Sequence, residues 1–255
     1  MLEGYEEREL ISSFRRKGIS KNEYAALLEA AEKELERGRP LAYITGEQPF
    51  YNLAFYVDER VLVPRPDTER VVEKALALAP PGSFFADLCT GSGCIALTLL
   101  YNRRDLTAAA FDISADALEV ARRNTERLGL SDRIEYHVED VLKPASFRRS
   151  FDFIISNPPY IKTGSISDYP SLSFEPHSAL DGGRDGLDFY RAIVENWSCL
   201  LSPDGFFLFE IGYDQAADII KIAGNAGFSC GIFRDYGGND RVALLKKKQV
   251  QFGAL

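Results

Sequence analysis

The chain has 255 residues, of which 45% are hydrophobic and 27% charged, so it can bury a sizeable core and has the composition of a soluble globular protein. Its 30 basic and 38 acidic residues leave a net charge of −8, which disfavours free DNA or RNA as the main partner. The N-terminal residues contain no apolar signal segment and no apolar run is long enough to span a bilayer, so a cytoplasmic protein is expected.

The four cysteines, Cys89, Cys94, Cys199 and Cys230, have neither paired C-x-x-C spacing nor the density of a disulfide scaffold. We therefore predict free thiols. The sequence indicates no zinc or other metal site.

Three regions follow one another along the chain. Residues 1–39 are charge-rich with apolar residues at helical spacing, and Gly38-Arg39-Pro40 ends the pattern, which predicts a small helical domain. Residues 40–66 are rich in aromatic side chains and turn residues, and they predict a β-hairpin linker with short strands. Residues 67–255 are predicted to form the main domain, which begins with a helix that ends near Leu78.

A regular alternation of strands and helices then predicts an α/β fold. Strands are expected at residues 84–88, 107–112, 134–138, 151–156, 206–211, 229–234 and 241–245. Helices are expected at residues 94–101, 115–128, 187–201 and 215–226. Alternation of this kind indicates a parallel sheet covered on both faces, and the two closing strands without a helix between them indicate one antiparallel insertion at its edge.

The loop after the first of these strands, Asp87-Leu88-Cys89-Thr90-Gly91-Ser92-Gly93, is typical of a ligand site at the carboxyl end of a sheet. Gly91-x-Gly93-x-x-Ala96, followed by Asp112, also fits the dinucleotide pattern, so the loop alone does not separate NAD from S-adenosylmethionine. In either case, the Asp112 carboxylate is suited to the ribose hydroxyls.

Two acidic residues favour S-adenosylmethionine. A carboxylate at Asp87 suits a ligand with an ammonium group and would be poorly placed beside a pyrophosphate. Asp140, after the third strand, is suited to accept a hydrogen bond from an adenine amino group, although a solvated loop acid is the simpler alternative.

A stiff polar corner follows the fourth strand at Asn157-Pro158-Pro159-Tyr160. Proline restricts the residue before it, so Asn157 must leave the strand in an extended turn. The Asn157 carboxamide and the Pro158 carbonyl supply two acceptors that can hold an incoming NH₂ group by both hydrogens. Together with the acidic strand ends, this corner makes methyl transfer the best interpretation.

The chain closely resembles the release factor glutamine methyltransferases, a family of protein-(glutamine) methyltransferases. The resemblance is carried by Pro40 to Gly46, Val63 to Glu69, Asp87 to Leu97, Asp112 to Gly129, Asn157 to Tyr160, Phe174-Glu175-Pro176 with Ala179 to Gly183, and Glu210 to Tyr213. It implies a class I S-adenosylmethionine-dependent methyltransferase fold, with a Rossmann-like seven-stranded sheet whose last strand is antiparallel. It also implies that the helical N-terminal domain binds the substrate.

The resemblance further implies methylation of the glutamine side-chain nitrogen in the Gly-Gly-Gln motif of peptide-chain release factors. The residues expected at the catalytic corner are Asn157, Pro158, Pro159 and Tyr160. The residues expected to bind the cofactor are Asp87, Cys89, Thr90, Gly91, Ser92, Gly93, Asp112, Ile113, Asp140, Val141 and Asn157. A monomer with a protein substrate, without a membrane or direct nucleic-acid partner, is expected.

Two features depart from the family pattern, and one other function remains open. Family members usually have glycine where this chain has Cys89, and the segment before Pro40 is shorter than the resemblance implies. The alternative is an amino-methyltransferase acting on adenine or guanine in DNA or RNA, which would use the same corner on a flipped base. That alternative predicts a basic face around the cleft, which the acidic balance disfavours.

Overall fold

The computed structural model describes residue 2 and residues 4–248 of the chain. The helices are α1 (Gly4–Arg16), α2 (Tyr24–Glu36), α3 (Leu41–Thr45), α4 (Glu69–Leu78), α5 (Cys94–Asn102), α6 (Ala115–Leu128), α7 (Asp188–Trp197) and α8 (Ala216–Asn225). The strands are β1 (Glu47–Phe50), β2 (Leu53–Tyr56), β3 (Phe84–Leu88), β4 (Thr107–Asp112), β5 (Ile134–Val138), β6 (Phe151–Ser156), β7 (Leu201–Glu210), β8 (Phe228–Arg234) and β9 (Asp240–Lys247).

The main sheet has seven strands in the order β5-β4-β3-β6-β7-β9-β8. All neighbours pair in parallel except at β9, which runs antiparallel to both β7 and β8. This confirms the predicted sheet with an antiparallel last strand, and it places that strand between β7 and β8. The chain moves outward from β3 to β5 and then returns to β6 on the other side of β3. The connections that leave β3 and β6 therefore run in opposite directions, and a crevice opens between them.

The sheet is covered on both faces by apolar side chains. On one face Phe85, Phe153 and Phe206 stack in a row, with ring centroids 4.8 Å and 5.3 Å apart, and they pack under α4 and α5. On the other face Trp197 packs with Phe111 and the residues of α7 and α8. Each fully buried aromatic ring contributes roughly 1.5–3 kcal/mol, so this double packing dominates stability.

The N-terminal helices and the hairpin contact different parts of the molecule. Leu10 and Phe14 of α1 pack with Ala31 of α2 in a small separate core. The hairpin instead inserts Phe50 and Phe55 into the core above the main sheet. The division of the chain at residues 39 and 66 stays a prediction, and residues 1, 3 and 249–255 of the predicted domains lie outside the described residues.

Two predicted elements differ from the structure. Residues 41–45 of the predicted hairpin linker form a short helix that the sequence did not predict, and this helix ends at Gly46 in a left-handed conformation with φ +70°. The helix predicted to run to residue 201 ends at Trp197, and β7 begins already at Leu201. The β6–β7 pairing shifts register between Leu201 and Phe206, and this irregular stretch contains Pro203.

Two buried threonines make a matched test of hydrogen bonding in the core. The hydroxyl of Thr98 is buried in α5 without a hydrogen-bond partner among the described residues. The hydroxyl of Thr125 donates to the Ala121 carbonyl at 2.9 Å and lies 2.5 Å from the Tyr136 hydroxyl. We expect Thr98→Val to be neutral or stabilising and Thr125→Val to destabilise by about 1–3 kcal/mol, because it leaves the Tyr136 hydroxyl without this partner. Urea unfolding of both variants tests this, and equal destabilisation would contradict it.

Candidate active site

The site is built where β3 and β6 end side by side. Leu88 pairs with Ser156 at the last position of the β3–β6 ladder, and the Ser156 hydroxyl donates to the Leu88 carbonyl at 2.6 Å. The loop of residues 87–93, called here the cofactor loop, and the Asn157 corner therefore leave the sheet next to each other, as expected. A cavity of about 390 Å³ opens between them. Its walls include the predicted residues Cys89, Thr90, Gly91, Ser92, Asp112, Ile113, Asp140, Val141, Asn157 and Pro159.

The loop turns through three residues with positive φ, namely Cys89 at +59°, Gly91 at +55° and Gly93 at +80°. A Cβ added at Gly93 would lie 3.0 Å from the Leu97 side chain and would stand at φ +80°, so packing and backbone conformation both favour glycine there. A Cβ at Gly91 would meet nothing within 4 Å, so this backbone is open to a ligand. Cys89 holds a left-handed conformation that costs an L-residue about 1–2 kcal/mol.

Asp112 ends β4 with its carboxylate on the cavity wall. Its Oδ2 accepts from the Gly91 amide at 2.9 Å and its Oδ1 from the Ser114 amide at 3.0 Å. Burial raises the pKa of this carboxyl, and the two backbone donors oppose that rise. The amides hold the carboxylate rigidly beside the loop, where it fits a diol such as a ribose.

Asp87 lies behind the loop and does not line the cavity. It is fully buried, and its Oδ2 accepts from the Thr90 hydroxyl at 2.6 Å and from the Ala96 amide at 3.3 Å. Its Oδ1 has no hydrogen-bond partner within the described part of the chain. Burial raises the pKa of Asp87 to about 7. The geometry makes Asp87 a brace for the loop, and the structure does not bring its carboxylate to the cavity surface.

The outer part of the cavity combines apolar walls with one paired acid. Ile113 is 60% exposed and borders the cavity together with Val141 and Leu142. Asp140 also lines it, but its Oδ1 accepts from the Leu142 amide at 3.1 Å and its Oδ2 pairs with Lys143 at 3.1 Å. The apolar walls suit a flat aromatic base, whereas Asp140 would have to share its carboxylate between Lys143 and a ligand.

The corner presents a carboxamide of defined orientation. Asn157 Nδ2 donates to the Thr68 hydroxyl at 3.2 Å, which leaves Asn157 Oδ1 available as an acceptor. Asn157 also lines a second, smaller cavity of about 90 Å³ together with Pro158, Tyr160 and Glu210. The Tyr160 hydroxyl donates to Glu210 Oε1 at 3.3 Å, so the ring is held at the edge of this small cavity.

Residues 63–65 are bound to Glu175, which follows the Asn157 corner in the chain. Arg65 forms an ion pair with the buried carboxylate of Glu175, which also accepts from the Val63 amide at 2.9 Å. The sequence marked Arg65 and Glu175 through the family resemblance, without a role. Arg65 lines both cavities, so the ion pair with Glu175 fixes a side chain that the two cavities share.

Thr68 and Glu210 received no site role from the sequence. Thr68 directly precedes α4, a position where threonine can cap a helix, but its side chain makes no capping hydrogen bond and accepts from Asn157 Nδ2 instead. Glu210 ends an apolar strand, where it is 1% exposed. A carboxyl group at the end of a buried strand was the available signal, since such acids are rarely buried without a role.

The buried carboxyl of Asp87 predicts a pH dependence of stability. Its pKa is about 7 in the folded chain and near 3.8 when unfolded, so the folded state binds the extra proton between these values. The contribution of Asp87 to the free energy of unfolding is therefore fully present below about pH 4 and is lost as the pH rises through 7. We expect Asp87→Asn to gain stability relative to the parent chain between pH 5 and pH 8, measured by urea unfolding at each pH. Parallel stability curves would contradict this.

The strained residue in the loop gives a second prediction. Cys89→Ala and Cys89→Gly both remove the thiol and differ only in the Cβ at φ +59°. We expect the glycine variant to be more stable than the alanine variant by about 1 kcal/mol, because glycine adopts this conformation without steric cost. Chemical denaturation of the pair measures the difference, and a more stable alanine variant would show that the loop is not strained at this position.

Comparison with known proteins gives the family. Residues 72–169 match the model of the methyltransferase small domain. A release factor glutamine methyltransferase of Clostridium acetobutylicum is 40% identical over 214 residues, which cover 80% of this chain and 74% of the relative. The enzyme of the same name from Geobacter sulfurreducens is 39% identical over 229 residues, which cover 89% of this chain and 79% of the relative.

Solved structures agree with the fold. A methyltransferase from Pyrococcus furiosus superimposes with a TM-score of 0.59 and 18% identity, over 84% of this chain and 96% of that one. At this identity the likeness concerns the fold alone. The fold and the sequence similarity over most of the chain lead to one conclusion, that the chain belongs to the release factor glutamine methyltransferase family.

Proposed function

We propose that the chain transfers a methyl group from S-adenosylmethionine to the side-chain amide nitrogen of the glutamine in the Gly-Gly-Gln motif of peptide-chain release factors. The family membership supports this activity. The observation that carries it is the orientation of Asn157, which lines both cavities: its NH₂ group donates to Thr68, while its oxygen accepts no hydrogen bond from the described residues.

The larger cavity fits S-adenosylmethionine. Its volume of about 390 Å³ is in the range of cofactor sites. Asp112 would hold the ribose hydroxyls, the open backbone at Gly91 would allow close approach of the methionine part, and Ile113 and Val141 would flank the base. Asp87 would act through the loop that it braces. When bound, the cofactor supplies a methyl group that is already activated on a sulfonium.

The smaller cavity fits the acceptor. At about 90 Å³ it has room for a group the size of a carboxamide, and Asn157 and Pro158 are among the residues that line it. Asn157 Oδ1 and the Pro158 carbonyl would accept the two amide hydrogens and stabilise the positive charge that develops on nitrogen. Tyr160, whose ring is held by Glu210, would pack against the planar amide and exclude water. The corner thus contributes mainly orientation.

Protein binding is assigned to the N-terminal region. We propose that residues 1–39 contact the release factor and that residues 40–66 carry this domain over the site. Tyr43 of α3 packs with Phe174, which lies directly before Glu175 in the chain. Within the described residues no helix is long and apolar enough to cross a membrane. The monomeric state stays a prediction.

Asn157→Ala tests the role of the corner. We expect turnover to fall on the order of 100-fold, because an aligned acceptor is lost, while the affinity for S-adenosylmethionine changes little. Transfer of labelled methyl to a purified release factor measures turnover, and calorimetry measures cofactor binding. Asn102→Ala removes a carboxamide that bonds only the Thr98 carbonyl in α5, so it should leave both values unchanged.

The same assay separates the candidate acceptors. A release factor whose Gly-Gly-Gln glutamine is replaced should accept no label, and neither should tRNA or DNA. Label on nucleic acid alone would overturn the protein substrate and favour the amino-methyltransferase of adenine or guanine. Equal losses of turnover and cofactor affinity in Asn157→Ala would overturn the role of the corner.

A further inference from the structure

One buried acid lies beside the polar side chains of the corner. Glu210 accepts from the Tyr160 hydroxyl at 3.3 Å, which ties Tyr160 to the end of β7. Asn157 Nδ2 donates to the Thr68 hydroxyl at 3.2 Å. The Thr68 hydroxyl lies near the Glu210 carboxyl and lowers its pKa, so Thr68 stands between Asn157 and Glu210.

The single hydrogen of the Thr68 hydroxyl decides the orientation of the Asn157 amide. A hydroxyl has one hydrogen to donate and lone pairs to accept with. If that hydrogen is directed to Glu210, the Thr68 oxygen can only accept from Asn157, so the NH₂ group must face Thr68. Asn157 Oδ1 is then turned away from Thr68. With the hydrogen directed to Asn157 instead, the amide could flip and present two donors to a substrate that itself brings an NH₂ group.

Burying the Glu210 carboxyl group lowers the stability of the folded chain. Glu210 is 1% exposed, and none of the described residues forms an ion pair with it. Its Oε2 accepts no hydrogen bond from the described residues, although the Thr68 hydroxyl lies nearby. The neighbouring cation, Arg241, is bound instead to Asp67 and Asp235. Burial raises the pKa of Glu210 to about 7, which shows that the fold disfavours its charge.

We propose that Glu210 is a positioning residue for methyl transfer, which fixes Asn157 in its acceptor orientation through the Thr68 hydroxyl and holds the ring of Tyr160 directly. The inference rests on the proposed function and deepens it. Glu210 does not have to touch the reacting atoms. Its contribution is to keep the carboxamide of Asn157 from flipping and the ring of Tyr160 from moving. The NH₂ group of the substrate glutamine then faces the oxygens of Asn157 and Pro158 and no competing donor.

The test combines Glu210→Gln and Thr68→Val, which keep the shape of both side chains, with the double variant. We expect each single change to lower kcat by roughly 10- to 100-fold, with the cofactor affinity and the KM for the release factor within about twofold of the parent. Since both act through one relay, the double variant should be no slower than the slower single variant. Thr68→Ser keeps the hydroxyl and should recover most of the activity lost in Thr68→Val.

Thr98→Val is the matched control, because it removes a buried hydroxyl outside the site and should leave kcat unchanged. Thermal unfolding of every variant shows whether it is folded at the assay temperature. Additive losses in the double variant, a parent-like kcat in Glu210→Gln, or a loss that Thr68→Ser does not recover would each overturn the proposal.

A spectroscopic readout keeps this inference separate from the choice of substrate. The side-chain NH₂ signals of Asn157, assigned by their absence in Asn157→Ala, should move in the same direction in Glu210→Gln and Thr68→Val and stay in place in Thr98→Val. Unmoved signals would overturn the relay. If the parent chain methylates no release factor, the proposed function fails, whereas shifted signals would still support the relay.

Discussion

The site depends on one topological constraint, the return of the chain from β5 to β6 beside β3. This return makes Leu88 and Ser156 neighbours at the end of the ladder, so the two loops that follow must diverge on opposite sides of one crevice. A glycine-rich turn and a proline-stiffened corner are thereby held close together in space, although they are far apart in the sequence. The stacked rings of Phe85 and Phe153 directly below keep the two strands rigid.

Two buried carboxyl groups support this crevice from behind. Asp87 braces the loop of residues 87–93 through Thr90, and Glu210 holds the Tyr160 ring at the corner. Burial raises the pKa of each to about 7, so both cost stability when ionised. The chain thus accepts unfavourable burial at the two places where loop geometry matters for chemistry, and it offsets that cost with the aromatic packing on both sheet faces.

The sequence predicted the elements of the sheet closely, because strand and helix periods and the glycines that end helices are local signals. The strands at residues 84–88 and 151–156 have the predicted bounds. It failed at residues 41–45, which form a short helix that ends at a left-handed Gly46, and at the start of β7, where the pairing with β6 shifts register in a stretch that contains Pro203. Both depend on pairing partners or packing that are remote in sequence.

For the site, local pattern identified residues that line the larger cavity, since glycines, a strand-end acid and an Asn-Pro-Pro turn have local conformational causes. Cys89, Asp112 and Asn157 were found in this way, and all three line the cavity. The residues behind them were not: Asp87 was expected on the surface of the cavity, while Thr68 and Glu210 had no assigned role. The contacts of these residues depend on which side chains the folded sheet brings within hydrogen-bond distance. The contact between Asn157 and Thr68, for example, joins segments that are far apart in the chain. A local sequence pattern does not predict such a contact.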